Sequence, residues 1–599
     1  MRARSPAIPV FFDRPRVEHT SFAFVLCVWL AALIATHVFI ATYAARTPIA
    51  DDVTMFVVVG QPRGLWEWLW ALHNEHRLPL PKLVQYALYL ASGDIRSGMH
   101  AEAAILGATA LACVLVARKL RGARPWDAIF PLMWLQLGNA ENLLMGFCLQ
   151  NTIPMACVCA LFFASVLSPA RLAPSRAIVS GLALVALPLC GGAGLLCCPA
   201  LAAWIAWLGW RVRRSANARE RRSARIHFTA AALTLGIVAA YFVGFHGQAE
   251  APRELDPRAL VRSAIAVTAL AFGPGCERVW PASGWLVAAF IAAIVLAIGS
   301  RALRTRAREP VALGTIAVFV SAACLALGLA YARPLSPPGL PHRYVPFFAP
   351  FFTVSTLGSL ALFNSSAREL PLVACFFAMI AATPASIEFG TNRGRVRREM
   401  EANLDRLVRS EADAETLSAY FNEYFSLRGR GSWWPLDDFA VHRLPPFDRA
   451  RAGYPDWFES PLLDIAPIEI DGNEPPVERM LEGEKVYCVA EGTRVSFACA
   501  SSSSTFGCRW GVPGPVLDRG NFAGIRMRVR LREDDGRERE LGDVASDPAR
   551  TMVASGMRAV DLSWEPGSSR VLTLIVEPPD GTTPEHVPGW IKLRGVYIR

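Results

Sequence analysis

Residues 21–44 read SFAFVLCVWLAALIATHVFIATYA, twenty-four residues without one Lys, Arg, Asp or Glu. A helix of that length rises about 36 Å, more than the roughly 30 Å of a bilayer's hydrocarbon core. It is too long, and lacks the small-residue cleavage site, for a signal peptide. Similar runs recur near 100–117, 127–147, 152–168, 177–190, 192–210, 228–246, 285–300, 311–331, 344–363 and 370–386, so about eleven spans are expected. The pair 177–190 and 192–210 is divided only by Gly191 and Gly192 and also reads as one bent element. The shorter run 260–273 reads as a helix lying on the membrane surface. The excess of apolar residues (53% of 599, mean hydropathy +0.30) collects before residue 386.

Basic residues set the expected direction, because Lys and Arg are retained on the cytoplasmic side. Arg2, Arg4, Arg14 and Arg16 precede the first span, and Arg118, Lys119, Arg121 and Arg124 follow the second. Residues 211–225 hold seven arginines against one glutamate, and Arg301, Arg304, Arg306 and Arg308 follow the eighth span. With eleven spans all four clusters share one side. The N-terminus is then cytoplasmic, and the C-terminal part periplasmic or extracytoplasmic. The net charge of +10 is therefore a topology signal, and no nucleic-acid partner is expected: the arginines are not gathered on one soluble face among aromatics. Ten of the fourteen cysteines lie in or beside spans, where they serve as small apolar residues. Cys276, Cys488, Cys499 and Cys508 are expected outside, where a local bridge is open to the last three.

The expected domains are a membrane part, 1–386, with outside loops 45–99, 247–284 and 332–343; a helical and Pro-rich connection, 387–463; and a β-sandwich, 464–599. The last rests on short alternating runs, EKVYCVA, TRVSFAC, GIRMRVRL, RAVDLSW, RVLTLIVEP and WIKLRGVYI, broken by Gly, Pro, Asp and Ser.

Polar chemistry gathers in the outside loops. Asp51 and Asp52 stand just past the first span, followed by Trp66, Trp68 and Trp70, which suit the headgroup zone, and by His73, Asn74, Glu75, His76 and Arg77. The plainer roles are a cap for a helix starting near Val53 and a solvated face. HxxH without a third ligand is a weak metal signal, and no metal or cofactor is expected. In QLGNAENLLMGFCLQN, the residues Gln136, Asn139, Glu141, Asn142, Gln150 and Asn151 are expensive in lipid and should face the bundle interior. Asn139, Asn142, Gly146 and Gln150 follow helical spacing and would share one face; interhelical hydrogen bonding is the plainer reading. In YARPLSPPGLPHRYVPFF, the side chains of Arg333, His342, Arg343 and Tyr344 stand at the next span's entrance. Arginine there suits a phosphate, or anchors the interface.

ADDVTMF, HNEHRLPLPKL, ENLLMGF and PHRY, with the early acidic pair and some eleven spans, resemble the GT-C superfamily of membrane glycosyltransferases over roughly residues 20–390. The resemblance implies a bacterial inner-membrane enzyme. It would pass a sugar from a polyprenyl-phosphate donor to a glycan or lipid acceptor on the outer face. Asp51 or Asp52 would be the general base, and Arg343, with Arg333 or Arg77, would hold the carrier phosphate. The C-terminal sandwich is similar to modules that bind sugars, where Trp510 and Trp590 would stack on a ring or else fill the core. A secondary transporter, which should show internal repeats, and a non-catalytic envelope scaffold are the alternatives.

Overall fold

The computed structural model describes residues 14–49, 51–52, 65–73, 76–166, 173–245, 256–302, 309–332, 337, 339–363, 366–412, 416–417, 420, 424, 445–450, 469–471, 477–481, 484–499, 505–511, 525–533, 535–546, 558–563, 570–578 and 590–598. The chain forms two compact units: Met1–Ala45 with Leu65–Glu399, and Arg46–Gly64 with Met400–Arg599.

The first unit is helical. After α1 (Arg14–Tyr43) come α2 (Leu65–Trp70), a two-stranded ladder of β1 (Leu72–His73) and β2 (His76–Arg77), α3 (Pro79–Ser92) and α4 (Arg96–Arg121). There follow α5 (Ile129–Trp134), α6 (Ala140–Leu143), α7 (Leu149–Val166), α8 (Pro174–Ala186), α9 (Gly192–Val212), α10 (Ala218–Tyr241) and α11 (Pro257–Ala269). The series ends with α12 (Gly275–Arg278), α13 (Ala282–Ala302), α14 (Glu309–Ala332), α15 (Val345–Leu362) and α16 (Leu370–Arg409). Among the described residues, nine helices are long and apolar enough to cross a bilayer: α1, α4, α7, α9, α10 and α13 to α16. The chain is thus a multi-pass α-helical membrane protein.

α15 is the hub. Its apolar window is 94% buried, against 22% for α1 and α13. Phe347, Phe348, Phe351 and Phe352 are all buried there. Outer helices instead expose apolar side chains such as Trp285, Leu286 and Leu296 of α13, as a lipid-facing surface does. Small residues let the helices approach. Gly107 of α4 touches Leu33 of α1, and its carbonyl accepts a 2.9 Å bond from Trp29 Nε1.

Two of the eleven expected spans are not continuous membrane-length helices. Residues 127–147 are α5, a 3₁₀ turn at Leu137–Asn139, α6 and a second 3₁₀ turn beginning at Gly146. The breaks survive because side chains satisfy what the helix gives up. Gln136 Nε2 donates to the Met133 carbonyl at 3.2 Å, and Thr36 Oγ1 of α1 to the Leu135 carbonyl at 3.3 Å; the Gln136 amide is held in turn by Ala271 O at 2.8 Å and Ser386 Oγ at 3.1 Å. The doubtful pair at 177–210 is two elements. α8 is short and ends in a 3₁₀ turn (Leu187–Cys190), and Gly191 then takes a φ of 88°. A Cβ there would lie 2.5 Å from Leu78 Cδ2, so the joint needs glycine twice over. α11, in the run expected to lie on the membrane surface, buries its C-terminal half, Ala264 and Ala266–Ala269, and packs on α13 and α14, while Arg258, Val261 and Arg262 of its N-terminal half are exposed. The span expected to end at 386 continues into the helical start of the connection, since α16 runs unbroken for 40 residues.

In the second unit, β4 (Val477–Leu481), β5 (Glu484–Ala490), β7 (Thr505–Gly511), β10 (Arg558–Ser563) and β12 (Trp590–Ile598) form one antiparallel sheet, ordered β10-β7-β12-β5-β4. A second antiparallel sheet, β3-β6-β11-β8-β9, holds β3 (Glu469–Asp471), β6 (Arg494–Cys499), β8 (Ile525–Arg532), β9 (Glu538–Ser546) and β11 (Arg570–Glu577). β8 shows why. IRMRVRLR alternates, so Ile525, Met527, Val529 and Leu531 are buried while the arginines face out. Both sheets contribute to one core, with Val489, Phe506 and Trp510 from the first and Phe497, Leu572 and Leu574 from the second. Cys499 and Cys508 are buried in it; the Cys488 side chain lies outside the described residues. Trp510 is 1% exposed, so it fills the core and is not available to stack on a sugar. The Trp590 side chain lies outside the described residues.

Candidate functional site

Polar contacts in the helical unit gather at two ends. At one end Arg118 pairs with Glu18 at 3.5 Å, and Arg121 with Asp127 at 2.6 Å and Glu369 at 3.4 Å. These tie the start of α1, the end of α4 and the α15–α16 junction together. The opposite end holds most of the candidate residues.

There the chain between β2 and α3 is clamped. Arg77 is buried, and its guanidinium donates to Trp70 O (2.5 Å), Val243 O (2.7 Å) and Tyr241 O (3.0 Å). With its donors aimed at three main-chain carbonyls, Arg77 reads as a structural clamp, and the phosphate role expected for it is withdrawn. Lys82 lies beneath the same loop and donates to Trp68 O (2.9 Å) and Ala71 O (3.1 Å). Burial, and after it the neighbouring Arg77, brings the Lys82 ammonium down to about 8. His73 and His76 face each other across the ladder. The His73 ring meets Phe147 edge-on at 4.8 Å, and His76 lies against Gly192. Glu75 and Arg333 lie outside the described residues.

The interrupted segment supplies the centre of this end. Asn142, fully buried, donates to Asn139 Oδ1 and to Arg343 O (3.0 Å), and its own Oδ1 accepts from Asn151 Nδ2 at 2.9 Å. Glu141 accepts from Arg343 N at 3.0 Å with one oxygen and from Arg393 Nη2 at 2.9 Å with the other. The Arg343 guanidinium lies 5.5 Å over the Tyr344 ring. The single helical face expected for Asn139, Asn142, Gly146 and Gln150 does not form. The break at Gly146 turns the chain, Asn151 joins the amides, and Gln150 goes to the side of Gly191.

Beside this cluster is a cavity of about 420 Å³, lined by Pro274, Glu277, Arg278, His342, Glu388, Phe389, Asn392, Arg393 and Val396. The His342 ring lies tilted against Phe389, 4.1 Å between ring centres. His342 Nε2 lies 2.9 Å from Glu277 Oε1. Gly339 N donates to Glu277 Oε2 at 2.9 Å. Burial alone would raise the Glu277 carboxyl, but His342 and the Gly339 and Leu340 amides outweigh it and hold it below its ordinary value. A carboxyl depressed in the folded state adds stability above its unfolded pKa and loses it as pH falls through the folded one. Glu277→Gln should therefore lower the thermal midpoint at neutral pH and converge with wild type as pH falls below the ordinary carboxylate range and through the depressed pKa of the folded state. A difference constant across that range would assign the loss to packing.

Asp51 and Asp52 belong to the second unit, on a 3₁₀ turn closed by a 2.9 Å bond from Asp52 N to Ile49 O. Asp51 is half-buried and Asp52 is 1% exposed. The helix they were expected to cap falls in 53–64, outside the described residues. Lys82, Glu277 and Arg393 were not singled out from sequence. Lys82 stands in the quoted HNEHRLPLPKL, but Glu277 and Arg393 sit in stretches with no periodicity to mark them.

The fold and this polar end define a multi-pass membrane protein with a charged, amide-rich site at one end of its helices. No protein-family model and no curated protein matches the chain. Among solved structures it is similar to a family GH115 4-O-methyl-α-glucuronidase, BtGH115A, with specificity for decorated arabinogalactans. The identity is 15% over 37% of this chain and 29% of that one, at a TM-score of 0.15. The chain spans less than a third of that enzyme's length, and a likeness this slight carries no argument about fold or activity.

Proposed function

We propose that the protein is a GT-C-like glycosyltransferase of a bacterial inner membrane, moving a sugar from a polyprenyl-phosphate carrier to an envelope glycan or lipid acceptor on the outer face. The observation that carries this reading is the joining of Glu141, Asn142, Arg343 and Arg393 beside the 420 Å³ cavity at one end of apolar helices. A headgroup held at the end of its own lipid tail arrives at such a place. Guanidinium groups suit its phosphate, and a carboxylate can take the acceptor hydroxyl's proton as the new bond forms. Asp51 or Asp52 is the base in this reading, and Arg343 the phosphate-holding residue.

The topology that accompanies it has eleven crossings, two of them irregular: the interrupted segment 125–148 and the short α8. This count places the arginine clusters on the end tied by Arg121 and Asp127, and makes that end cytoplasmic. The two sheets form a β-sandwich on the outer side. In phospholipid nanodiscs, the purified protein is expected to move labelled sugar from a polyprenyl-phosphate donor pool to an envelope acceptor, and Arg343→Ala to weaken donor binding at least tenfold. No transfer from any such donor by folded protein would overturn the reading. The interrupted segment favours one alternative, a secondary transporter with a broken helix, for which uptake into proteoliposomes without sugar transfer is the discriminating result.

A further inference from the structure

The segment leading to the acidic pair is fixed from within its own unit. Glu401, on the C-terminal part of α16, receives three donors on one oxygen. Arg46 N lies 3.1 Å from Glu401 Oε1, Thr47 N 3.2 Å and Thr47 Oγ1 3.2 Å. Two successive amides and a hydroxyl converging on one carboxylate oxygen make a directional grip on the main chain. A second anchor stands beside it, where Arg46 Nη2 pairs with Asp448 Oδ2 at 2.5 Å. Thr47 is 1% exposed and Ile49 2%, so water has little access to the donors if the grip is lost. The turn bearing Asp51 and Asp52 begins two residues after Thr47, at Ile49, whose carbonyl accepts from Asp52 N. A chain this short, at most about 3.6 Å per residue, leaves the turn little freedom once residues 46 and 47 are held.

We infer that Glu401 is the positioning residue of the acidic turn, setting the place of the Asp51–Asp52 carboxylates by gripping the main chain at Arg46 and Thr47. The inference rests on the reading that this pair supplies the general base. Glu401 touches no reacting atom in it and acts only through the turn. Misplacing a reacting group by about 1 Å can cost about 10²-fold in rate. Glu401→Ala leaves two amides and a hydroxyl without their acceptor, and is expected to lower kcat by about 10²-fold with KM for the lipid-linked donor unchanged. Glu401→Gln keeps an accepting oxygen and should restore kcat to within a few-fold of wild type. Thr47→Val removes one of the three donors and should give an intermediate loss; it serves also if Glu401→Ala does not fold.

Hydrogen exchange on the intact protein reads the grip without reference to activity. The amides of Arg46, Thr47 and Asp52 should exchange at least tenfold faster in Glu401→Ala, and the apolar half of α16 should be unaffected. Unchanged exchange at these amides, an unchanged kcat, or KM rising in step with a falling kcat would each overturn the inference. Failure of the underlying reading shows separately, as wild-type transfer rates in both Asp51→Asn and Asp52→Asn.

Discussion

Asp51→Asn is expected to lower sugar transfer by about 10²–10⁴-fold, the usual effect of losing a positioned general base, with membrane insertion and thermal midpoint unchanged. Asparagine keeps the shape and most of the hydrogen bonding of aspartate but cannot take a proton. The two carboxylates are adjacent yet unequal. Asp51 is half-buried, so it is the carboxylate open to an acceptor in the proposed reading, whereas Asp52 is 1% exposed. Asp52→Asn is therefore expected to act on the turn as well as on the rate, and its thermal midpoint should fall while that of Asp51→Asn does not. The measurement is single-turnover transfer of labelled sugar from a polyprenyl-phosphate donor by purified protein, with a melting curve for each variant. Wild-type rates in both variants would make the pair a structural turn and remove the proposed mechanism.

The largest effect on stability is expected within the helical unit, at the end that holds Arg121 and Asp127. The side chains of Arg121 and Asp127 are both fully buried. Arg121 Nη2 lies 2.6 Å from Asp127 Oδ1, Arg124 N donates to Asp127 Oδ2 at 2.9 Å, and Arg121 Nη1 donates to Gly122 O at 2.7 Å. The group pins the chain where it leaves α4 and enters the interrupted segment. Asp127→Ala strips a buried guanidinium of its main counter-charge, which typically costs about 3–5 kcal/mol. Little folded protein should then survive extraction. The double variant Arg121→Met with Asp127→Leu removes both buried charges, leaves only the partly exposed Glu369 without its partner, and should recover most of that loss, as apolar replacements of buried pairs commonly do. Chemical denaturation in micelles, compared across wild type, single and double variants, checks both statements. A loss below about 1 kcal/mol for Asp127→Ala is what a solvated surface pair would give, and would contradict the buried clamp.

Several site residues were legible because lipid leaves so few choices. Gln136, Asn139, Asn142 and Asn151 stood out because amides cannot be left bare in hydrocarbon, and all four are buried and bonded. Arg77 was legible as a residue but not in its role. Its sequence neighbours suggested an interfacial cation, whereas its carbonyl partners at Tyr241 and Val243 come from the end of α10 and the turn after it, more than 160 positions away. Glu401 gave no signal at all. In the charged stretch around it one glutamate looks like the next, and only the approach of Arg46 and Thr47 sets it apart.

The sequence by itself determined the membrane class of the protein, since uncharged runs of about 20 residues have few stable alternatives to a spanning helix. It determined six of the strands as well: period-two alternation in stretches such as IRMRVRLR has one buried face in any register that packs. Only the tertiary structure decided where the helical pattern breaks. Residues 127–147 are apolar enough to read as a span, and their composition is indifferent between a helix and a chain of short turns. What tips the balance is distant in sequence: Thr36 Oγ1 for the freed Leu135 carbonyl, and, for the polar side chains of the segment, Ala271 O and Ser386 Oγ at Gln136, Arg343 O at Asn142 and Thr353 Oγ1 at Trp134. A broken helix inside a membrane bundle stands only where other helices bring such partners to the freed polar groups, and that is a property of packing which no local window of sequence contains.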